Sequence, residues 1–248
     1  MMKAELKEIK SFKDSLQAIS NLITEGKFLI DEEGIKLKAA DPAMVSLVDF
    51  KVLKDSFSTY DVDETTEVGL NLEKMYSIIR RAKNNDKLVF ELKEDSSLTI
   101  KIENGSTRTF SIPVLNIDEE TPETNQLKFN VEAEFNSSTL SRGIGDVSII
   151  GESVTFEASE NSIIMRSEGD NTNAEFKIEE GDEGLLELNS EEKAKSMFSM
   201  DYLKKMMKAE KIADTVKISL GNDFPMRLDF TVPDRIELGF ILAPRIEE

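Results

Sequence analysis

The sequence predicts an α+β fold made twice over: two pseudo-repeated domains, each an antiparallel sheet with two helices on one face. Three observations predict it. Two basic helical stretches, 71–83 and 201–211, share one amphipathic design at an offset of 128 residues. The hydrophobic skeleton of the first half recurs at that offset through the second. Between the halves, residues 113–127 lose all periodicity and carry two prolines and an acidic run, the marks of a connector.

Residues 11–25 read as a helix that Ser11 caps, with Phe12, Leu16 and Ile19 on one stripe. A hairpin follows over 27–39, turning at Glu33-Gly34, and then an apolar strand over 45–50. In the helix at 71–83, Leu72, Met75 and Ile79 are apolar, while Lys74, Arg80, Arg81 and Lys83 are basic. A hairpin joins 88–92 to 98–102 around 94–97, and 108–112 alternates as a short strand.

Shifted by 128, Phe12, Leu16 and Ile19 become Leu140, Ile144 and Val147; Phe28, Ile35 and Leu37 become Phe156, Ile163 and Met165. The strands recur at 173–178, 216–220 and 236–240. The third helix, 136–147, contains Gly143 and Gly145, each costing roughly 1 kcal/mol in a helix interior, so packing has to hold it. In the fourth, 201–211, Leu203, Met206 and Met207 form the apolar stripe and Lys204, Lys208 and Lys211 another face. The domains are 1–114 and 128–248, with 115–127 as connector.

All four helices carry base: Lys13; Lys74, Arg80 and Arg81; Arg142; Lys204, Lys205, Lys208 and Lys211. Most of the acid falls to the sheets, so the expected molecule is sided. The net charge of −18 does not argue against an anionic ligand, because at physiological salt the Debye length is about 8 Å and separate faces are screened from each other. Zero cysteine excludes disulfides and thiolate metal sites, and zero histidine removes the Ser-His-Asp triad and the usual zinc ligands. Enzymatic activity is thereby disfavoured, and no cofactor or metal is expected. No run approaches the ~20 apolar residues of a membrane helix, and no secretory h-region is visible, so a cytoplasmic location is expected and no membrane partner.

Four segments, LKAADPAMVSLVDF (37–50), NLEKMYSIIRRA (71–82), GNDFPMRLDF (221–230) and LAPRIEE (242–248), together resemble the archaeal and eukaryotic DNA sliding clamp family, proliferating cell nuclear antigen. The resemblance covers the whole chain. It implies a head-to-tail homotrimeric ring of six similar domains whose helices line a hole around duplex DNA. The ring works without catalysis, in an archaeal cell and about its nucleoid, as a processivity factor of replication and repair. The lumen bases would be Lys13, Lys74, Arg80, Arg81, Lys83, Arg142, Lys204, Lys205, Lys208 and Lys211, meeting phosphates without reading bases.

The resemblance also implies partners: DNA polymerase, clamp loader, flap nuclease and ligase, each inserting a short hydrophobic peptide. Their pocket would use Met44, Val45, Leu47, Leu115, Ile117, Pro225, Phe240, Leu242, Ala243 and Pro244. Met stands at 44 where eukaryotic members tend to carry His. By the duplication, Arg108, Thr109, Phe110, Ser111 and Ile112 of one subunit would pair with Asn173, Ala174, Glu175, Phe176, Lys177 and Ile178 of the next. Ionic contacts from Arg81, Lys83 or Arg108 to acids such as Asp146 would support that joint. Two further readings stay open: a clamp subunit active only in a hetero-trimer with paralogues, and a carboxylate-dependent metal nuclease.

Overall fold

The computed structural model describes residues 2–93, 97–118 and 127–246. Contacts divide the chain into two units. The first takes in Met1–Pro42, Val48–Pro122 and Thr231–Leu238; the second takes in Ala43–Leu47, Glu123–Phe230 and Gly239–Glu248.

In order, the chain forms β1 (Met2–Leu6), α1 (Ile9–Ile19), β2 (Glu25–Asp31), β3 (Gly34–Ala40), β4 (Ser46–Leu53), β5 (Phe57–Val62), β6 (Thr66–Asn71), α2 (Leu72–Ile79), β7 (Lys87–Lys93), β8 (Ser97–Glu103) and β9 (Thr107–Pro113). In the first unit one sheet runs β5-β1-β7-β8-β9, and β6-β2-β3 form part of a second. Alternation decides which side chains go in: Leu98, Ile100 and Ile102 of β8 are buried, with half-exposed residues between them. The apolar stripes of α1 and α2 close over these inner faces. Phe12 of α1 meets Phe90 edge-on at 5.6 Å and lies 6.3 Å from Phe50. Burying one such side chain contributes roughly 1.5–3 kcal/mol.

Two boundaries differ from the sequence reading, each for a physical reason. The first helix spans Ile9–Ile19, not 11–25, because its buried stripe begins at Ile9; Glu8 is the N-cap, not Ser11. Leu22 and Ile23 still reach the core, but through a tight turn in which both amides bond to Ile19 O at 2.9 Å. The first hairpin turns at Glu32-Glu33, one residue early, with Asp31 and Gly34 as the closing pair. Gly34 is required there: its φ is +148°, and a Cβ would sit 2.1 Å from Val52 O. The expected turn at 94–97 lies outside the described residues except for Ser97.

The second unit repeats the plan through β10 (Val131–Asn136), α3 (Ser137–Val147), β11 (Ser153–Ala158), β12 (Ser162–Gly169), β13 (Thr172–Glu179), β14 (Leu185–Ser190), β15 (Ala194–Ser199), α4 (Met200–Met206), β16 (Thr215–Leu220), β17 (Met226–Val232) and β18 (Ile236–Leu242). The strand order β14-β10-β16-β17 repeats β5-β1-β7-β8, and β13-β12-β11-β15 repeats β4-β3-β2-β6. α1 and α3 begin 128 residues apart, as do α2 and α4. Every apolar pair matched by that shift is buried in both copies. The fourth helix is shorter than expected. It ends at Met206 and tightens into a 3-10 turn over Met207–Lys211, which sends Met207, Ala209 and Ile212 inward.

The two glycines of α3 prove to be different. A Cβ on Gly143 would lie 2.5 Å from Met165 Cε and 2.9 Å from the Phe176 ring, whereas Gly145 faces open space. Gly143 lets the helix sit down on β12 and β13. Gly145→Ala is therefore expected to stabilise by up to about 1 kcal/mol, and Gly143→Ala to destabilise despite its better helix propensity. Urea midpoints of the two variants check this, and the same sign for both would contradict it.

Candidate functional site

In the first unit, Asn71 sets the start of α2, its side chain accepting the Lys74 amide at 2.9 Å. With Leu72, Met75 and Ile79 turned inward, Glu73 and Lys74 point out. The helix ends at Ile79, so Arg80 and Arg81 occupy the turn after it and Lys83 lies beyond; all three are exposed. That position still suits cations, since unpaired carbonyls end the helix. Lys13 on α1 is half-buried and donates to Ala82 O at 3.3 Å, which ties the two helices together. Lys10, also exposed on α1, escaped the sequence reading because the helix was expected to begin after it.

In the second unit, Arg142 on α3 and Lys204, Lys208 and Lys211 around α4 are exposed. The 3-10 turn brings Lys208 and Lys211, three residues apart, onto one side. Lys205 is engaged: it pairs with Asp201 at 2.7 Å and lies over the Tyr202 ring. Acid is present on these helices too, at Glu73, Asp146 and Asp201.

What separates helices from sheets is pairing. On the sheets, Lys101 holds Glu91 at 2.8 Å, Lys217 holds Glu132 at 2.7 Å, and Lys51 holds Glu237 at 2.8 Å. Arg166 spans Glu157 and Glu175, and Lys195 joins Glu157 at 3.1 Å. Burial works against the Glu157 carboxylate, yet Lys195 and Arg166 hold its pKa below the ordinary value. Among the described residues, Lys74, Arg80, Arg81, Lys83, Arg142, Lys204 and Lys211 stand in no such ion pair. Most sheet bases are spent on nearby acids, Lys3 of β1 and Lys38 of β3 excepted, while those seven bases of the helix layers face solvent.

The two expected edges are edges. β9 pairs with β8 at the end of its sheet, and β13 pairs with β12 at the end of its own. Arg108, however, is committed within its own unit. Its Nη2 donates to Asp86 Oδ2 at 2.8 Å and its Nη1 to Arg81 O at 3.4 Å. Asp86, buried, also accepts from Asn104 Nδ2 at 2.8 Å and from the Lys83 amide at 3.1 Å. Pairing across 18 to 22 residues leaves no periodic trace in a sequence.

The expected docking residues divide. In the second unit, Met44 is 74% exposed at φ +56°, and the Val45 carbonyl accepts the Ala243 amide at 2.9 Å. Pro225 and Pro244 are half-buried, and the Arg245 amide bonds to Met197 O at 2.7 Å. Leu47, Phe240 and Leu242 are core instead: Phe240 packs on Phe230 and is fully buried. In the first unit, Leu115 donates to Gly69 O at 2.8 Å, with Ile117 against the same glycine. A Cβ on Gly69 would meet Leu115 O at 2.2 Å, so that position cannot bear a side chain. A lone glycine inside the strand TEVGLN was the available signal. The connector beyond Asp118, to Gln126, lies outside the described residues.

Two family models meet this chain along its length: Proliferating cell nuclear antigen, N-terminal domain, over residues 1–121, and its C-terminal domain over 123–245. The chain belongs to the proliferating cell nuclear antigen family. It is 38% identical over 239 residues to the DNA polymerase sliding clamp of Thermococcus sibiricus, covering 96% of each chain. DNA polymerase sliding clamp 1 of Thermococcus kodakarensis is 35% identical over the same share. Among solved structures, proliferating cell nuclear antigen from Thermococcus kodakaraensis superposes with a TM-score of 0.93 at 25% identity, over 99% of this chain and 100% of that one. A PCNA2–PCNA3 complex from Sulfolobus tokodaii does so with a TM-score of 0.92 at 25% identity, with the same coverage. Among the described residues, no group of acidic side chains is arranged to hold a metal ion, and no helix is long and apolar enough to cross a membrane.

The Asp86 knot gives this member a pH signature. Hydrogen bonds from Asn104 and from the Lys83 amide, with the Arg108 charge, hold the Asp86 carboxylate below its ordinary 3.8. A depressed carboxylate stabilises the fold above its unfolded pKa, and that contribution is lost as pH falls through the folded value. Asp86→Asn is expected to lower the urea midpoint at pH 7 and to have progressively less effect in acid, as the pH falls below the ordinary 3.8 and through the lower folded value. An equal loss at pH 7 and in acid would remove the carboxylate from the account.

Proposed function

We infer that this chain is a DNA polymerase sliding clamp: it holds replicative polymerase to duplex DNA and confers processivity without catalysing a reaction. The observation that carries this, beside family membership, is that Lys74, Arg80, Arg81, Lys83, Arg142, Lys204 and Lys211 of the helix layers stand in no described ion pair while most bases on the sheets do.

The mechanism is topological. Lys74, Arg80, Arg81 and Lys83, with Arg142, Lys204, Lys208 and Lys211, meet phosphates as point charges and read no bases. Lys13 and Lys205, each held by an intramolecular bond, contribute less. Retention comes from enclosure, so the contacts stay weak enough to slide. Three copies close a homotrimeric ring through the β9 and β13 edges. The domains are 1–114 and 128–248, joined by the connector 115–127. Polymerase, clamp loader, flap nuclease and ligase dock through short hydrophobic peptides on Met44, Val45, Pro225, Ala243 and Pro244, with Leu47, Phe240 and Leu242 as buried support. An aromatic anchor supplies most of such an interface's energy. Leu115 and Ile117 hold the start of the connector on Gly69. The ring works in the archaeal cytoplasm, on the nucleoid. A hetero-trimer with paralogues is the second reading, favoured by the likeness to the PCNA2–PCNA3 complex.

Protein loaded on closed circular DNA is expected to stay bound at high salt and to leave when the circle is cut; equal loss from both forms would refute enclosure. Replacing Lys204, Lys208 and Lys211 with Ala is expected to weaken direct duplex binding. It should also lower the slope of log K against log salt by about one for each phosphate no longer neutralised. An unchanged slope would take these lysines away from the phosphates.

A further inference from the structure

We propose that Met44 is a site of reversible oxidation in this chain: a peroxide converts its exposed thioether to the sulfoxide, and the docking of partner peptides weakens. The proposal rests on the docking reading above and deepens it by giving that surface a regulation.

Composition narrows the chemistry first. With zero cysteine there is no thiol to intercept a two-electron oxidant, so the softest groups left are the thioethers of ten methionines. Burial then separates them. Among the described residues, seven methionines, Met165 and Met206 among them, are at most 5% exposed. Met197 is half-buried, and Met44 is 74% exposed. An oxidant reaches Met44 in the folded protein, whereas it reaches the seven only when the core opens.

The backbone accounts for that exposure. β4 begins at Ser46, so Met44 falls outside the pleat that buries Leu47. Its φ of +56° lies in the left-handed region, which a long side chain seldom occupies. Oxygen added to a sulfur so placed displaces no core neighbour.

Position supplies the consequence. One residue on, the Val45 carbonyl accepts the Ala243 amide at 2.9 Å, which ties this turn to the terminal segment. The residues assigned to docking with Met44 on this unit, Val45, Pro225, Ala243 and Pro244, have only apolar side chains. A flexible, polarizable thioether among them adapts to an incoming aromatic anchor. A sulfoxide has a strongly polar S–O bond whose oxygen accepts hydrogen bonds, and none of those four side chains can donate one. Burying that oxygen unpaired under a docked peptide is unfavourable.

The step needs no metal and no side-chain base. The Met44 sulfur lone pair attacks one oxygen of hydrogen peroxide and the O–O bond breaks. The departing hydroxide takes the proton of the transferred hydroxyl, leaving sulfoxide and water. Sulfur loses two electrons and the peroxide gains them. A methionine sulfoxide reductase, drawing two electrons and two protons from a thiol pair, returns the thioether and releases water.

The test treats the whole chain with hydrogen peroxide at neutral pH, removes the oxidant and locates sulfoxide by mass spectrometry of proteolytic fragments. Met44 is expected to oxidise at least about tenfold faster than any of the seven buried methionines. A fluorescent synthetic peptide with leucine and phenylalanine anchors, itself free of methionine, then reads docking before and after treatment. Its Kd is expected to rise about tenfold and to fall back after the reductase has acted. In Met44→Leu the ratio of the two Kd values is expected to be about one, whatever the starting affinity of that variant. Oxidation of Met44 no faster than of the core would overturn the site. An unchanged Kd with Met44 fully oxidised would overturn the regulation. So would an equal rise in Met44→Leu, which would move the effect to another methionine, Met197 first. No binding of the peptide to untreated chain would overturn the docking reading instead, and leave Met44 as an oxidation site without that consequence.

Discussion

Each helix here is short, seven to eleven residues, and stands only because one apolar stripe is sealed against the inner face of a sheet. Helices of that length are unstable alone in water, so packing supplies their stability. Phe12 near Phe50 and Phe90, and Gly143 close to Met165 and Phe176, are two places where this seal is visible. Everything on the opposite side of each helix is oriented by it. Once Leu203, Met206 and Met207 are committed inward, Lys204, Lys208 and Lys211 have nowhere to go but out.

That constraint explains how a chain of net charge −18 can still present base on its helices. Outward residues on a strand recur every second position with a neighbour on the next strand, so sheet bases find acids: Lys101 with Glu91, Arg166 with Glu157 and Glu175. Short helices offer fewer such neighbours, and Lys205 with Asp201 is the exception among the α4 lysines with a described ion pair. Unpaired base accumulates on one layer without any change in composition. The duplication then makes a single solution serve twice.

The sequence revealed the repeat, the helix and strand types and the inward residues, because periodicity reports burial directly. Phe28, Ile35 and Leu37 and their mates Phe156, Ile163 and Met165 are buried as the pattern required. Boundaries were less legible. Ile9 opens the first stripe two residues before Ser11, and overlooking it hid Lys10. The tightening of α4 into a 3-10 turn depends on Ala209 and Ile212 meeting a core that only the fold creates. Tertiary pairings were not legible at all: Arg108 with Asp86, Lys13 with Ala82, and the seat of Leu115 on Gly69 each join positions that no local pattern connects. The family resemblance, and no local pattern, puts Phe240 and Leu242 at a docking pocket, and in the fold both side chains are buried.

The central claim is that duplex DNA meets the helix layers and not the sheets. Lysine reactivity toward an acetylating reagent, compared with and without a duplex threaded through the assembled protein, tests it most directly. The account predicts protection of Lys74, Lys204, Lys208 and Lys211, with Lys101, Lys195 and Lys217 on the sheets unchanged. Protection of the sheet lysines, with the helix lysines still reactive, would contradict it.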